Sequence, residues 1–288
     1  MSSSIGVLSP EWDEYELLDS GAGQKLERFG NYTLVRGEPK AIWGKSLPST
    51  VWKNADAIHR GESHWKIREK NLNSWPMSYD RIRMEARVGI SSKHLGIFPE
   101  QEPHWRWMSK QMKKLGSGRL LILFGYTGIA SLVGSSYGWE TTHVDASKPS
   151  VNWARKNHFL SGDLEGHIRW ILEDARNFIK REIRRGYKYD GIVLDPPAFG
   201  RGPKGDVWKL DRDLMPLLED LKKVKSDNFQ FALMTLYSIE NSSITAKNLI
   251  RDLVGKDIGN LENGELAITE SNLRKYQLPL SLYSRWQK

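Results

Sequence analysis

The sequence predicts an α/β protein: an open, mostly parallel, doubly wound sheet preceded by a small β-rich domain. Three observations carry this. From residue 119 onward, short apolar runs of strand length alternate with amphipathic stretches of helix length, as in repeated β-α units joined by right-handed crossovers. Four successive apolar runs each end in glycine or a carboxylate, which puts polar groups along one edge of the sheet. Residues 1–75 lack this alternation and carry short strand-like pieces between glycine and proline turns.

The elements follow in order. Tyr15–Gly21 and Tyr32–Arg36 read as short strands, with Pro39, Pro48 and several Trp and Lys residues after them. Residues 80–98 alternate on both sides of Ser91-Ser92-Lys93, which predicts a hairpin turning there. Pro103–Lys114 reads as a helix. Leu120–Phe124, Thr141–Asp145, Ile168–Leu172 and the run ending at Asp195 are expected strands, with helices over Gly128–Tyr137, Pro149–Leu160 and Ala175–Arg185 between them. A helix from Leu210 to Val224, a strand Phe229–Tyr237, a helix Ile244–Val254, a strand Leu266–Thr269 and a last strand ending near Trp286 complete the pattern. The expected division is a β-rich domain over 1–75 and a larger domain over 76–288, the latter with a hairpin lead-in at 80–98 and a core at 115–288.

Composition narrows the function. The chain has 288 residues and no cysteine, which excludes disulfides, thiolate metal sites and cysteine nucleophiles within it. Seven histidines are scattered; His59 and His64 have no acidic or histidine cluster beside them, so no metal site is expected. No apolar run approaches the roughly 20 residues of a membrane span. The segment Met1–Val7 lacks the basic and apolar regions of a secretory signal, so an intracellular, cytoplasmic protein is expected. The formal charge of +8 suits a polyanionic partner. Lys66, Arg68, Lys70, Arg81, Arg83, Arg87 and Lys93 are interleaved with tryptophans such as Trp65 and Trp75. Arg201, Lys204, Lys209 and Arg212 form a second basic set. Basic groups mixed with aromatics are the composition of a nucleic-acid surface.

The chemistry is expected at the strand ends. Ile192-Val193-Leu194 is a buried run that must stop at Asp195-Pro196-Pro197, because two prolines remove two ladder donors. The result is a rigid lip with one carboxylate, carbonyl oxygens and, two residues on, Phe199. It lies at the sheet edge where α/β folds bind ligands and suits a planar substrate bearing an amine. The first core strand ends in Phe124-Gly125-Tyr126-Thr127-Gly128. The second ends in Asp145, the position of a ribose-binding carboxylate. The third ends in Glu173-Asp174-Ala175, where a carboxylate can accept from an adenine amine. The glycine turn offers few convergent N–H donors for a pyrophosphate. It fits a phosphate-free nucleoside cofactor, S-adenosylmethionine, better than NAD.

These segments resemble class I S-adenosylmethionine-dependent methyltransferases, with their Rossmann-like sheet. More narrowly they resemble bacterial large-subunit (23S) ribosomal RNA methyltransferases that carry an Asp-Pro-Pro-x-Phe motif. The matching pieces are Leu123–Gly128, Val144–Ser147 with Trp153–Asn157, Glu173–Ala175, Leu194–Phe199 and the lead-in Gly96–Gln101. The resemblance covers roughly 80–288. It implies that Phe124, Gly125, Tyr126, Thr127 and Gly128 surround the methionine part of the cofactor, and that Asp145 binds the ribose with Ala146 and Ser147 beside the adenine. It further implies that Asp174, next to Ala175, accepts from the adenine amine, that Gln101 closes over the cofactor, and that Asp195, Pro196, Pro197 and Phe199 face the target. Ala198 stands where the commoner amine-methylating motif has its aromatic residue, and related enzymes that act through a cysteine adduct have no counterpart here.

The expected reaction is direct in-line methyl transfer to a nitrogen of a ribosomal RNA base, without metal, by positioning of the reacting atoms. Methylation of a protein or small-molecule amine, and RNA binding without catalysis, are the alternatives. Fold alone does not choose among them.

Overall fold

The computed structural model describes residues 6–61, 64–69, 72–89, 93–202, 205–237 and 242–288. Lys70, Ser91, Ser92 and Lys204 of the sequence reading lie outside these residues. In chain order the elements are β1 (Gly6–Leu8), β2 (Tyr15–Gly21), β3 (Gln24–Phe29), β4 (Tyr32–Gly37), α1 (Ser49–Lys53), β5 (Ala57–Arg60), β6 (His64–Ile67), β7 (Ser74–Tyr79) and β8 (Ile82–Arg87). Then come α2 (Glu102–Leu115), β9 (Arg119–Leu123), α3 (Ile129–Ser136), β10 (Glu140–Asp145), α4 (Lys148–Ser161), β11 (Ile168–Leu172), α5 (Ala175–Arg185) and β12 (Gly191–Leu194). The chain continues with β13 (Phe199–Arg201), β14 (Val207–Lys209), α6 (Leu210–Lys222), β15 (Phe231–Tyr237), α7 (Ser243–Val254), β16 (Asn260–Thr269) and β17 (Gln277–Gln287).

Two compact units result. The larger is built on His104–Glu265 and Ser281–Lys288, the smaller on Leu8–Pro103 and Leu266–Leu280. The boundary drawn at residue 75 in the sequence therefore coincides with no unit end. The β7–β8 hairpin groups with the strands before it, and a segment from near the C-terminus joins them. Asp19 gives the physical reason for the latter. It is fully buried and accepts from the Trp52 indole N–H, the Ser46 and Leu47 amides, and Asn272 and Arg274. A buried carboxylate needs such partners, and those at 272 and 274 tie residues 266–280 into this unit.

The smaller unit holds a five-stranded sheet in the order β2-β3-β4-β5-β6 and the two-stranded β7–β8 sheet. The strand β3 escaped the sequence reading because its Gln-Lys-Leu-Glu-Arg-Phe has only two apolar residues. Its polar groups are nonetheless buried: Glu27 receives a two-pronged ion pair from Arg36 (2.8 and 2.9 Å), the Lys25 ammonium (3.3 Å) and the Tyr15 hydroxyl (2.8 Å). The expected hairpin over 80–98 is corrected. It runs over 74–87 and turns at Asp80-Arg81, with Tyr79 opposite Ile82. Asp80 adopts φ 50°, a left-handed conformation that aspartate tolerates and that tight hairpins require.

In the larger unit one eight-stranded sheet has the order β1-β16-β17-β15-β12-β9-β10-β11. The five strands from β15 to β11 run parallel, and β17 pairs antiparallel with β15. Side chains alternate across it. Leu121, Leu123, Val144, Ile192, Leu194, Ala232 and Met234 share a core with Phe178, Ile179, Leu217, Leu218, Ile250 and other residues of α5, α6 and α7. On the opposite face His143 meets Ser131 of α3. The sheet is thus doubly wound, as predicted. The strand β16 is longer than Leu266–Thr269 because its polar first half pairs with the edge strand β1. At Gly264 a Cβ would fall 1.7 Å from the Gly6 carbonyl oxygen, so only glycine permits that approach. Among the described residues, no helix is long and apolar enough to cross a membrane.

Candidate active site

The strand order reverses direction between β9 and β12. The chain steps outward from β9 to β10 to β11, then returns to the other side of β9 at β12 and continues to β15. In open α/β sheets the crevice outside the strand carboxyl ends at such a switch point is the ligand site. Here β9 leads into the glycine turn and β12 into Asp195. The two strands are neighbours: Leu123 lies opposite Leu194, and the Asp195 amide donates to the Leu123 carbonyl at 3.4 Å.

The glycine turn is tightly wound. Phe124, Tyr126 and Gly128 all have positive φ, of 58°, 49° and 84°. Left-handed backbone at two non-glycine residues is strain, and strain of this kind gathers at ligand sites. Gly125 lies on the His143 ring, so close that a Cβ would sit 2.4 Å from a ring carbon. His143 is fully buried, its Nδ1 2.9 Å from the Ser131 hydroxyl. Burial, helped by nearby Arg155, pushes its pKa down to about 3, so the turn rests on a neutral ring. Asn157 of α4, also fully buried, donates to the Thr127 carbonyl at 3.0 Å.

Three N–H groups of the turn are consumed within the protein. Gly125 donates to Val144, Gly128 to Gly125, and Tyr126 to the Asp145 carboxylate at 2.8 Å. A pyrophosphate would need those donors, so NAD fits the turn poorly and a phosphate-free nucleoside fits it well. Phe124, Gly125 and Tyr126 keep part of their surface exposed, whereas Thr127 and Gly128 are buried. The exposed half is available to a ligand, and the buried half holds the turn in place.

Asp145 is half-buried. One of its oxygens accepts from Tyr126 and the other from the Ser147 amide, each at 2.8 Å. Burial raises its pKa, against the lowering by these two amide bonds. Each oxygen retains a lone pair for a further donor, which suits the vicinal hydroxyls of a ribose. Ser147 caps α4, accepting from the Ser150 amide and hydroxyl, and Ala146 lies partly exposed between Asp145 and Ser147.

Asp174 and Ala175 are placed differently from the other strand-end residues. Asp174 is the N-cap of α5 and accepts from the Arg176 and Asn177 amides. It also pairs with the Arg176 guanidinium at 3.0 Å. Both oxygens are engaged, so an adenine amine would share them. Ala175 is buried in the core with Phe178. Gln101 belongs to the smaller unit, in the short 3-10 turn Pro99–Gln101.

Beyond Asp195 the chain forms the β13–β14 hairpin, which the sequence reading missed. Its signal was present as Phe199-Gly200-Arg201 and Val207-Trp208-Lys209 around two glycines. Trp208 is almost wholly buried. Its indole N–H donates to the Pro197 carbonyl at 2.7 Å, and its ring lies 4.8 Å from that of Phe124. One side chain thus joins the lip to the glycine turn. The Ala198 carbonyl is also engaged, by the Leu210 amide. The Asp195 carboxylate and the Pro196 carbonyl are the other lip oxygens expected to meet a substrate. Arg176 lies 5.9 Å from the Trp208 ring and is fixed by Asp174 and by Asp213 at 3.0 Å. The Arg212 side chain, through its hydrogen bonds, is the main cause that holds Asp213 down at about 2. Phe199 is 52% exposed. Among the described residues, no group of three or more His, Asp or Glu is placed to hold a metal ion.

No protein-family model matches the chain. It is similar to a SAM-dependent methyltransferase of Agrobacterium tumefaciens, known from its crystal structure, with 40% identity and a TM-score of 0.93 over 98% of this chain and 93% of that one. A putative methyltransferase crystallised with SAH has a TM-score of 0.71 at 18% identity, covering 95% of this chain and 75% of that one; that likeness speaks to the fold alone. Among curated proteins, the ribosomal RNA large subunit methyltransferase K/L of Aeromonas hydrophila is 30% identical over 215 residues, or 71% of this chain. The chain spans only 27% of that relative's length.

Proposed function

The chain belongs to the S-adenosylmethionine-dependent methyltransferases, and we propose that it methylates a base nitrogen of ribosomal RNA by direct in-line transfer. The observation that carries this reading is the adjacency of the glycine turn and the Asp195 lip on neighbouring strands at the switch point. Cofactor and acceptor are thereby brought to one crevice. When bound, S-adenosylmethionine supplies a methyl group already activated for transfer.

The residues divide the work. Phe124, Gly125 and Tyr126 present the exposed half of the turn to the methionine part, while Thr127 and Gly128 hold the turn's shape. Asp145 takes the ribose hydroxyls on its outward lone pairs. Ala146 and Ser147 flank the adenine, and Asp174 shares its capped carboxylate with the adenine amine. On the acceptor side, Asp195 and the Pro196 carbonyl accept from the target amine. They orient it and stabilise the positive charge that develops on it, which is electrostatic preorganisation of the kind that contributes most to catalysis. Pro197 keeps these groups rigid, through its ring and through the bond from Trp208. The target base must be unpaired or flipped out to reach them. The name of the Aeromonas relative supports RNA as the acceptor, as does the excess of basic residues.

The test is incubation with radiolabelled S-adenosylmethionine and either protein-free ribosomal RNA or assembled subunits from a strain lacking this enzyme. Labelled RNA is then digested to nucleosides. Label in one modified base is the expected result and identifies the atom. No label in either substrate, with cofactor binding intact by calorimetry, overturns the RNA reading in favour of a protein or small-molecule amine.

A further inference from the structure

The β13–β14 hairpin has two unlike faces. Its register sets Phe199 opposite Lys209, Gly200 opposite Trp208 and Arg201 opposite Val207. Strand side chains alternate, so Phe199, Arg201 and Lys209 share the face that Trp208 does not. The Trp208 face turns inward, onto Phe124 and the Pro197 carbonyl. The other face turns to solvent, with the Phe199 ring 52% exposed, Arg201 and Lys209 also exposed, and the Arg201 guanidinium 5.9 Å from the Phe199 ring.

The charges differ in the same way. The nearby cations Arg176 and Arg212 are both neutralised, by Asp174 and Asp213. Arg201 and Lys209 have no acidic partner among the described residues. The outer face therefore offers an aromatic ring between two unneutralised cations, a few residues beyond Asp195. An aromatic platform flanked by positive charge is how proteins hold single-stranded nucleic acid: the ring stacks on a base and the cations meet phosphates. Phe199 points away from the Phe124 side of the hairpin, so a base stacked on it lies on the face opposite the glycine turn.

We infer that the outer face of this hairpin holds a nucleotide next to the target, with Phe199 stacked on its unpaired base and Arg201 and Lys209 against the flanking phosphates. This rests on the RNA reading above. It assigns to Phe199 a neighbouring base in place of the target base that the sequence motif implied.

The experiment uses the full chain with protein-free large-subunit ribosomal RNA and with assembled subunits. Affinity is measured over a salt series for the wild type, Phe199→Ala, Phe199→Tyr and the double variant Arg201→Ala/Lys209→Ala. Cofactor affinity is followed by calorimetry, and wild-type methyl transfer is measured on the same RNA. Phe199→Ala is expected to weaken RNA binding by about 5- to 150-fold, the effect of losing one base–aromatic stack, with cofactor affinity unchanged and Phe199→Tyr close to wild type. The double variant is expected to reduce the slope of log affinity against log salt by about 1.4, two phosphate contacts on a single strand. If the wild type methylates RNA while Phe199→Ala and the double variant bind it as the wild type does, the inference falls and the RNA reading stands. An equal loss in Phe199→Tyr also overturns it, since a phenol stacks as a phenyl does. If the wild type neither binds nor methylates protein-free RNA or assembled subunits, both fall together.

Discussion

Buried carboxylates serve opposite ends in the two units. In the smaller unit Glu27 is surrounded by Arg36, Lys25 and Tyr15. Burial alone would raise its pKa, but the two cations hold it down at about 2. Asp19 is likewise saturated, with donors from Ser46, Leu47, Trp52, Asn272 and Arg274. In the larger unit Asp145 receives two backbone amides and, among the described residues, no cation. Its pKa is raised by burial. The difference teaches how to tell a staple from a binding group. A carboxylate whose lone pairs are all taken by the protein holds the fold together. One left under-neutralised at a strand end still has attraction to offer a ligand.

Substitutions test this contrast, beginning with the largest effect. Glu27→Ala leaves Arg36 and Lys25 buried without their counter-charge and is expected to destabilise the protein by about 3–5 kcal/mol, measured by chemical denaturation. A loss below about 1 kcal/mol would mean that Glu27 is no staple. Asp195→Ala is expected to lower methyl transfer by about 10²- to 10³-fold, as for the loss of one preorganised charge-stabilising group, with cofactor affinity retained. A fully active variant would remove Asp195 from the mechanism.

Asp145→Ala is expected to weaken S-adenosylmethionine binding by about 10- to 150-fold, through loss of charge-assisted hydrogen bonds. The sign of its pH dependence follows from the raised pKa. The ionised form is the better acceptor, so affinity is full above that pKa and declines as pH falls through it. In a calorimetric pH series this decline should vanish in Asp145→Asn. The smallest effect is expected for Trp208→Phe. It keeps the ring against Phe124 but loses the bond to the Pro197 carbonyl, a neutral hydrogen bond worth about 1 kcal/mol. A drop in kcat of about fivefold with an unchanged KM for the cofactor would mark Trp208 as positioning the lip. An equal change in both constants would assign it to the cofactor turn instead.

The core strands were legible for a simple reason. A parallel strand buried on both faces must be a short apolar run, and Leu120–Leu123 and Ile192–Leu194 are such runs. Their ends were legible too, because glycine, Asp145 and Asp195-Pro196-Pro197 each stop a ladder by local chemistry. The β7–β8 hairpin was misplaced because its turn depends on the left-handed conformation of Asp80, which its neighbours in sequence do not announce. Strand β3 was missed because its buried face is ionic: Glu27 reads as a surface residue until Arg36 is placed beside it.

By itself, then, the sequence determined the doubly wound sheet, the phosphate-free character of the glycine turn and the run of polar groups along one sheet edge. All of these rest on interactions between residues close in the chain. Tertiary structure alone decided which groups are spent and which are available. Trp208 reached Phe124 and Pro197, Asp213 neutralised Arg176, Asn272 and Arg274 returned to Asp19, and Phe199 was turned outward with Arg201 and Lys209. Each of these depends on the side of a strand a residue faces, or on a partner distant in sequence, and neither is fixed until the chain has packed.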